Sequence, residues 1–253
     1  MPETKLNSYE RIDDLQTPNG YRLIQNPEWF CFGVDAVLLA DFAAHTIKPN
    51  SHILDMCTGN GIIPILLCEK TKAEKITGIE IQQKVAEMAQ RSVLLNDLEG
   101  RVSVVLGDLN DADGIFGKSV FDAVCCNPPY KENHGGLKNQ NDEMTIARHE
   151  ILCNLEGIIK SAERVLKPSG KLYLIHRPER LADIFCIMRE HKIEPKRLRM
   201  VHPAPEKTAT MVLVEGAKHG RPKLFLEPPL YVHDADGNYT DEIERIYGRK
   251  SNE

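Results

Sequence analysis

From residue 51 onward, short apolar runs alternate with stretches whose apolar residues recur every three or four positions. His52-Ile53-Leu54-Asp55, Lys75–Glu80, Val102–Leu106, Phe121–Cys126 and Lys171–Ile175 read as short buried strands. Between them, Ile62–Leu67 opens one helix, and Val85, Met88, Ala89 and Val93 mark the inner face of a second. A long stripe follows: Ile151, Leu155, Ile158, Ile159, Ala162, Val165 and Leu166. It is stopped by Lys167-Pro168-Ser169-Gly170. A helix over 180–191 and strands at Arg197–Val201 and Thr210–Val214 complete the series. Alternating strands and helices predict an α/β fold, a doubly wound sheet of mostly parallel strands with ligands at their carboxyl ends. The last two strands are separated by a loop too short for a parallel crossover, so that pair should be antiparallel.

The first 50 residues differ in character. Thr17-Pro18-Asn19-Gly20 is a turn signal, followed by β-prone runs at Tyr21–Ile24 and Trp29–Phe32, before Gly33-Val34-Asp35 opens an apolar helix over 36–42. The expected organisation is one domain over 1–253. Residues 1–50 form a hairpin-and-helix preamble, and 217–253 an extension with a turn at Asp236-Gly237-Asn238.

Charge and cysteine content narrow the picture. A net charge of −5 gives no support to nucleic-acid binding through a global field and leaves only local contacts. Lys192, Lys196, Arg197 and Arg199, with Arg177 and Arg180, are candidates for such a patch, or simply a solvated face. Seven cysteines without CxxC or Cys/His spacing predict buried reduced thiols and no metal site. Apolar runs are too short to span a bilayer and the N-terminus lacks a signal pattern, so a cytoplasmic address is expected. A monomer is the simplest expectation.

Two strand-end clusters carry candidate chemistry. Asp55-Met56-Cys57-Thr58-Gly59-Asn60-Gly61 lies between a strand and a helix, where glycines allow close backbone approach to a ligand. Pro64 occupies the place of the third glycine of a dinucleotide fingerprint, which disfavours NAD. Asp55 is placed for an ammonium, Glu80 for ribose hydroxyls, and Asp108 for an adenine amino group. Ile81 and Leu109, the next residues along, are counted with them, as is Asn127. The second cluster is Asn127-Pro128-Pro129-Tyr130. An exocyclic amino group is a poor nucleophile because its lone pair is delocalised into the ring. The Asn127 side-chain oxygen and the Pro128 carbonyl can accept its two hydrogens and free that lone pair. Consecutive prolines fix φ and aim the carbonyl, while Tyr130 can stack on the base for roughly 1–3 kcal/mol. Such a transfer rests on positioning and needs no nucleophilic side chain. Lys131 to Glu150 reads as a loop over the acceptor, in which Lys131, Arg148 and His149 are candidate substrate contacts.

These features resemble the Rossmann-like methyltransferases with an NPPY motif. Phe32–Ala40 and Ala147-Arg148-His149-Glu150 further resemble the bacterial tRNA1(Val) adenine-37 N6-methyltransferases. The resemblance implies S-adenosylmethionine as methyl donor, tRNA as partner and a seven-stranded sheet whose last strand is antiparallel. It also suggests a cofactor role for Asp35, which can otherwise cap its own helix. Protein glutamine N5-methylation, as on a release factor, and DNA adenine or rRNA guanine methylation stay open as alternatives. So does nucleoside binding without catalysis. Where the family pattern has glycine, this chain has Cys57.

Overall fold

The structure is a computed structural model that describes residues 6–29, 31–129 and 154–249. Strands β1 (Arg11–Asp14) and β2 (Arg22–Gln25) form an antiparallel hairpin closed by the turn at 17–20. Helix α1 (Val34–Ala44) leads to β3 (His52–Met56), α2 (Ile62–Lys70), β4 (Lys75–Glu80), α3 (Gln83–Leu95) and β5 (Val102–Leu106). A short α4 (Ala112–Phe116), β6 (Phe121–Cys126), α5 (Leu155–Val165), β7 (Leu166–His176) and α6 (Leu181–Glu190) follow. The chain then forms β8 (Ile193–His202), β9 (Met211–Lys218), β10 (Phe225–Leu226), β11 (Leu230–Tyr231) and α7 (Asp241–Ile246).

The central sheet runs β10-β8-β9-β7-β6-β3-β4-β5, with β11 also on β8. Strands β3 to β7 are parallel and β9 is antiparallel to both β7 and β8, as expected for the final pair. The sheet holds nine strands where seven are predicted, because β10 and β11 add short parallel segments to the β8 edge. Both are two residues long, too short to leave a periodic signal.

Alternating residues of each strand feed two apolar cores, as the pleat requires. Ile53, Ala123, Cys125, Tyr173 and Ile175 face α1, α2 and α3. Leu54, Val124, Cys126, Leu172 and Leu174 face α5 and α6. Helix α1 is buried along nearly its whole length, which its continuous apolar sequence demands.

Three sequence expectations change. The Tyr21–Ile24 run pairs with β1, a strand not marked in the sequence, and Trp29, where a second β-prone run is expected to begin, lies in a turn with its N–H on Asn26 O at 3.0 Å. Cysteine burial is uneven: Cys68, Cys125 and Cys126 are buried, Cys31 and Cys57 half-buried, and Cys186 exposed on the outer face of α6. The candidate cationic patch is largely internally paired. Arg197 forms an ion pair with Glu227 at 2.9 Å and lies over the Phe42 ring at 3.9 Å, and Arg199 bonds Glu242 at 2.7 Å.

The hairpin docks on α3 through the Glu10 carboxylate, which accepts from Arg91 at 2.6 and 2.7 Å, and through Ile24 N–H on Ser92 Oγ at 3.0 Å. The C-terminal turn returns to the same side. Lys70 Nζ donates to Asp41 Oδ1 at 2.8 Å and to the Ile246 carbonyl at 2.7 Å.

Candidate active site at the carboxyl end of the sheet

Strands β3, β4, β5 and β6 end side by side, which brings Asp55, Glu80, Asp108 and Asn127 to one edge. The loop after β3 is folded by its own backbone: Thr58 N–H bonds Ile79 O at 3.1 Å and Gly61 N–H bonds Thr58 O at 3.0 Å. Gly61 takes φ +85° as the residue that opens α2, and a Cβ there would lie 3.3 Å from that of Ala89. This combination of positive φ and close packing requires glycine. Cys57 also adopts a left-handed backbone, φ +58°. Glycine would adopt it freely, and the cysteine tolerates the conformation at a cost of about 1–2 kcal/mol.

Glu80 is buried and braces the loop. Its Oε2 accepts from Gly59 N–H at 3.0 Å and its Oε1 from Gln82 N–H at 3.0 Å. Asp108 is half-buried and accepts through Oδ1 from Asn110 N–H at 2.8 Å, capping the single turn Leu109–Asp111. Leu109 is buried beneath it, whereas Ile81 is exposed beside Glu80. Asp55 is fully buried. Oδ2 accepts from Thr58 Oγ1 at 2.6 Å, while Oδ1 has no hydrogen-bond partner among the described residues. Burial pushes its carboxyl up to about 8; the Thr58 bond opposes this and the Glu80 charge adds to it.

At the end of β6, Pro128 is buried and Pro129 exposed. Asn127 Nδ2 donates to Asp35 Oδ2, in the first turn of α1, at 2.9 Å. Asn127 Oδ1 is buried and has no partner among the described residues. Asp35 does not cap α1: the N-cap is Gly33, and the carboxylate is turned to Asn127 instead. Tyr130, Lys131, Arg148 and His149 lie outside the described residues.

Two residues at this edge escape a reading of the sequence. Gln25, at the end of β2, is buried and accepts from Asn60 Nδ2 at 3.1 Å and from Phe32 N–H at 3.0 Å, while donating to Asp13. It fastens the hairpin to the glycine loop, and nothing local in the sequence marks it. His176 ends β7 beside β6 and is buried. Its Nδ1 accepts from Arg177 N–H at 2.8 Å, and burial, helped by the charge of Arg180, pushes it down to about 4. A polar residue closing the apolar run Leu172–Ile175 is the available signal.

The residues of the first three strand ends fit S-adenosylmethionine. A buried carboxylate oxygen without a partner suits an ammonium, and the loop behind it offers left-handed turns and a helix N-terminus. Among the described residues no group of three or more His, Cys, Asp or Glu side chains is arranged to hold a metal ion. No described helix is long and apolar enough to cross a membrane.

A Porphyromonas gingivalis protein named tRNA1(Val) (adenine(37)-N6)-methyltransferase is 29% identical over 252 residues, covering 97% of this chain and 94% of its own. The crystal structure of a predicted O-methyltransferase from Agrobacterium tumefaciens, protein Atu636, superposes with a TM-score of 0.68. It is 27% identical and covers 86% of this chain and 98% of its own. M. jannaschii TYW2, solved in complex with AdoMet, shares the fold at a TM-score of 0.57 and 14% identity, over 84% of this chain and 87% of that one. The methyltransferase small domain family matches residues 33–189, and the chain belongs to that family.

Proposed function

We propose that this protein transfers a methyl group from S-adenosylmethionine to the exocyclic amino group of an adenine in tRNA, at position 37 of a valine tRNA. The observation that carries the chemistry is the buried, unpartnered Asn127 Oδ1 at the end of β6, beside the cofactor edge. A neutral acceptor sequestered from water is costly unless an N–H donor arrives to meet it, and an amino group is such a donor. Support for the tRNA substrate comes from the P. gingivalis relative, whose name specifies adenine 37 of tRNA1(Val) and whose length this chain nearly spans.

Bound at the ends of β3, β4 and β5, the cofactor supplies an electrophilic methyl group on a sulfonium. Asp55 would hold its ammonium, Glu80 its ribose hydroxyls and Asp108 its adenine amino group. Cys57, Thr58, Gly59 and Gly61 would supply the backbone cradle, and Ile81 and Leu109 are counted with the cofactor-binding residues. Asn127 Oδ1 and the Pro128 carbonyl accept the two hydrogens of the target amino group and draw them from the base plane, so the nitrogen presents its lone pair. One proton leaves the nitrogen after transfer. Tyr130, Pro129, Lys131, Arg148 and His149 are assigned to the acceptor side. An anticodon-loop base is already largely unpaired, so its extrusion costs less than flipping from a duplex. A tRNA substrate places the enzyme in the cytoplasm.

Incubation with tritiated methyl donor and unmodified tRNA should label N6-methyladenine, identified by mass spectrometry of the nucleosides. Label in a release factor and in no RNA would replace this reading with glutamine methylation.

A further inference from the structure

We infer that Asp35 is the positioning residue that fixes which face of the Asn127 amide meets the substrate; this rests on the methyl-transfer reading above. A side-chain amide is pseudo-symmetric: rotated by half a turn, it would present NH2 where it should present oxygen, and a target amino group would meet donors instead of an acceptor. The orientation therefore has to be imposed. Asp35 Oδ2 lies 2.9 Å from Asn127 Nδ2, and a carboxylate oxygen accepts, so the rotated amide would set oxygen against oxygen there. With Nδ2 held, Oδ1 is left as the buried atom without a partner.

The surroundings of Asp35 are built for this contact. It sits in the first turn of the eleven-residue α1, where the helix field favours a negative group, and it is only 8% exposed. A Cβ at Gly33 would lie 2.7 Å from its other carboxylate oxygen, so glycine there keeps the carboxylate in its place. The two residues are 92 positions apart, one in α1 and the other just past β6, so the contact is made only in the folded chain.

A charge-swap series tests the assignment by single-turnover methyl transfer to unmodified tRNA. D35N should lower the transfer rate about 10- to 100-fold, because an Asn–Asn pair accepts either amide orientation. Its cofactor affinity by calorimetry should stay within about twofold. N127D should lower the rate at least about 100-fold, because two carboxylates face each other. The double variant D35N/N127D restores one donor and one acceptor and should recover at least about tenfold over N127D. Melting temperatures of all four proteins separate misfolding from misorientation. A D35N protein with a normal rate and weakened cofactor binding would make Asp35 a cofactor ligand and overturn the proposal, as would a double variant no better than N127D.

If the wild type labels no tRNA, the RNA reading falls alone. The pair is then measured without any acceptor, from the Asn127 side-chain NH2 signals, identified by their absence in N127D. Asp35→Ala must shift them; unchanged signals would overturn the proposal.

Discussion

The two halves of the site each hold a buried oxygen without a hydrogen-bond partner among the described residues, and the two oxygens pose different problems. On the cofactor side it belongs to a carboxylate, Asp55 Oδ1; on the acceptor side it belongs to an amide, Asn127 Oδ1. A buried carboxylate can relieve itself by keeping a proton, and burial pushes the Asp55 carboxyl up to about 8. A buried amide oxygen has no such escape and can be satisfied only by an incoming donor. In the proposed reaction the first half serves as a switchable cation receptor, and the second as a fixed acceptor that must be aimed. Their bracing follows suit. Glu80 pins the cofactor loop through Gly59, while Asp35 pins the acceptor amide.

Truncating the fixed acceptor should give the largest effect. Asn127→Ala is expected to lower methyl transfer by about 10³-fold or more, with cofactor affinity within about twofold of wild type by calorimetry. Transfer at near wild-type rate would end the comparison, since the acceptor half would then have no chemical role.

On the other side, Glu80→Ala removes both a candidate ribose contact and the brace on Gly59. Cofactor binding should weaken about 100-fold, and Glu80→Gln should fall between it and wild type. Equal losses in the two variants would assign the effect to charge rather than to the brace.

Asp55 predicts a pH dependence that the amide half cannot have. An ammonium requires the ionised carboxylate, so cofactor affinity should rise about tenfold per pH unit from about pH 6 towards about pH 8. The stability of the free protein moves the opposite way. The folded state keeps this proton to about 8 whereas the unfolded chain releases it near 3.8, so Asp55 costs stability as pH rises across that window. Asp55→Asn should flatten both profiles, and calorimetry in buffers of different ionisation enthalpy should show proton release in the wild type alone. A wild-type affinity that does not vary between pH 6 and 8 would remove the ammonium assignment.

The smallest effect belongs to Cys57. Cys57→Gly relieves a left-handed cysteine but gives up thiol packing and frees the unfolded chain, so the net gain in stability should stay below about 1 kcal/mol. A lower melting temperature would rank the thiol contacts above the backbone strain.

Legibility in the sequence followed range. The glycine loop, Glu80, Asp108 and the Asn127 motif could be placed because each sits at the end of a short apolar strand, and the alternation of strand and helix is a local signal. What stayed hidden were side-chain bonds spanning long separations. Gln25 reaches Asn60 across 35 residues, and Asp35 reaches Asn127 across 92. The former reads as a polar strand end, and the latter as a helix cap. The ion pairs of the candidate cationic patch were hidden for the same reason. Arg197 and Arg199 look unopposed along the chain, while Glu215, Glu227 and Glu242 arrive from β9 and the extension.

The Gln25 plug has a dynamic consequence. One buried side chain joins the hairpin, the entry to α1 and the glycine loop. Undocking the hairpin therefore strips the loop of a support, and the segments should open as one cooperative unit rather than fray separately. Amide hydrogen exchange at Gly59 and Gly61 would then report on the hairpin's docking. Replacing Gln25 with leucine should accelerate that exchange selectively, leaving the amides at the centre of the sheet at their slow rates.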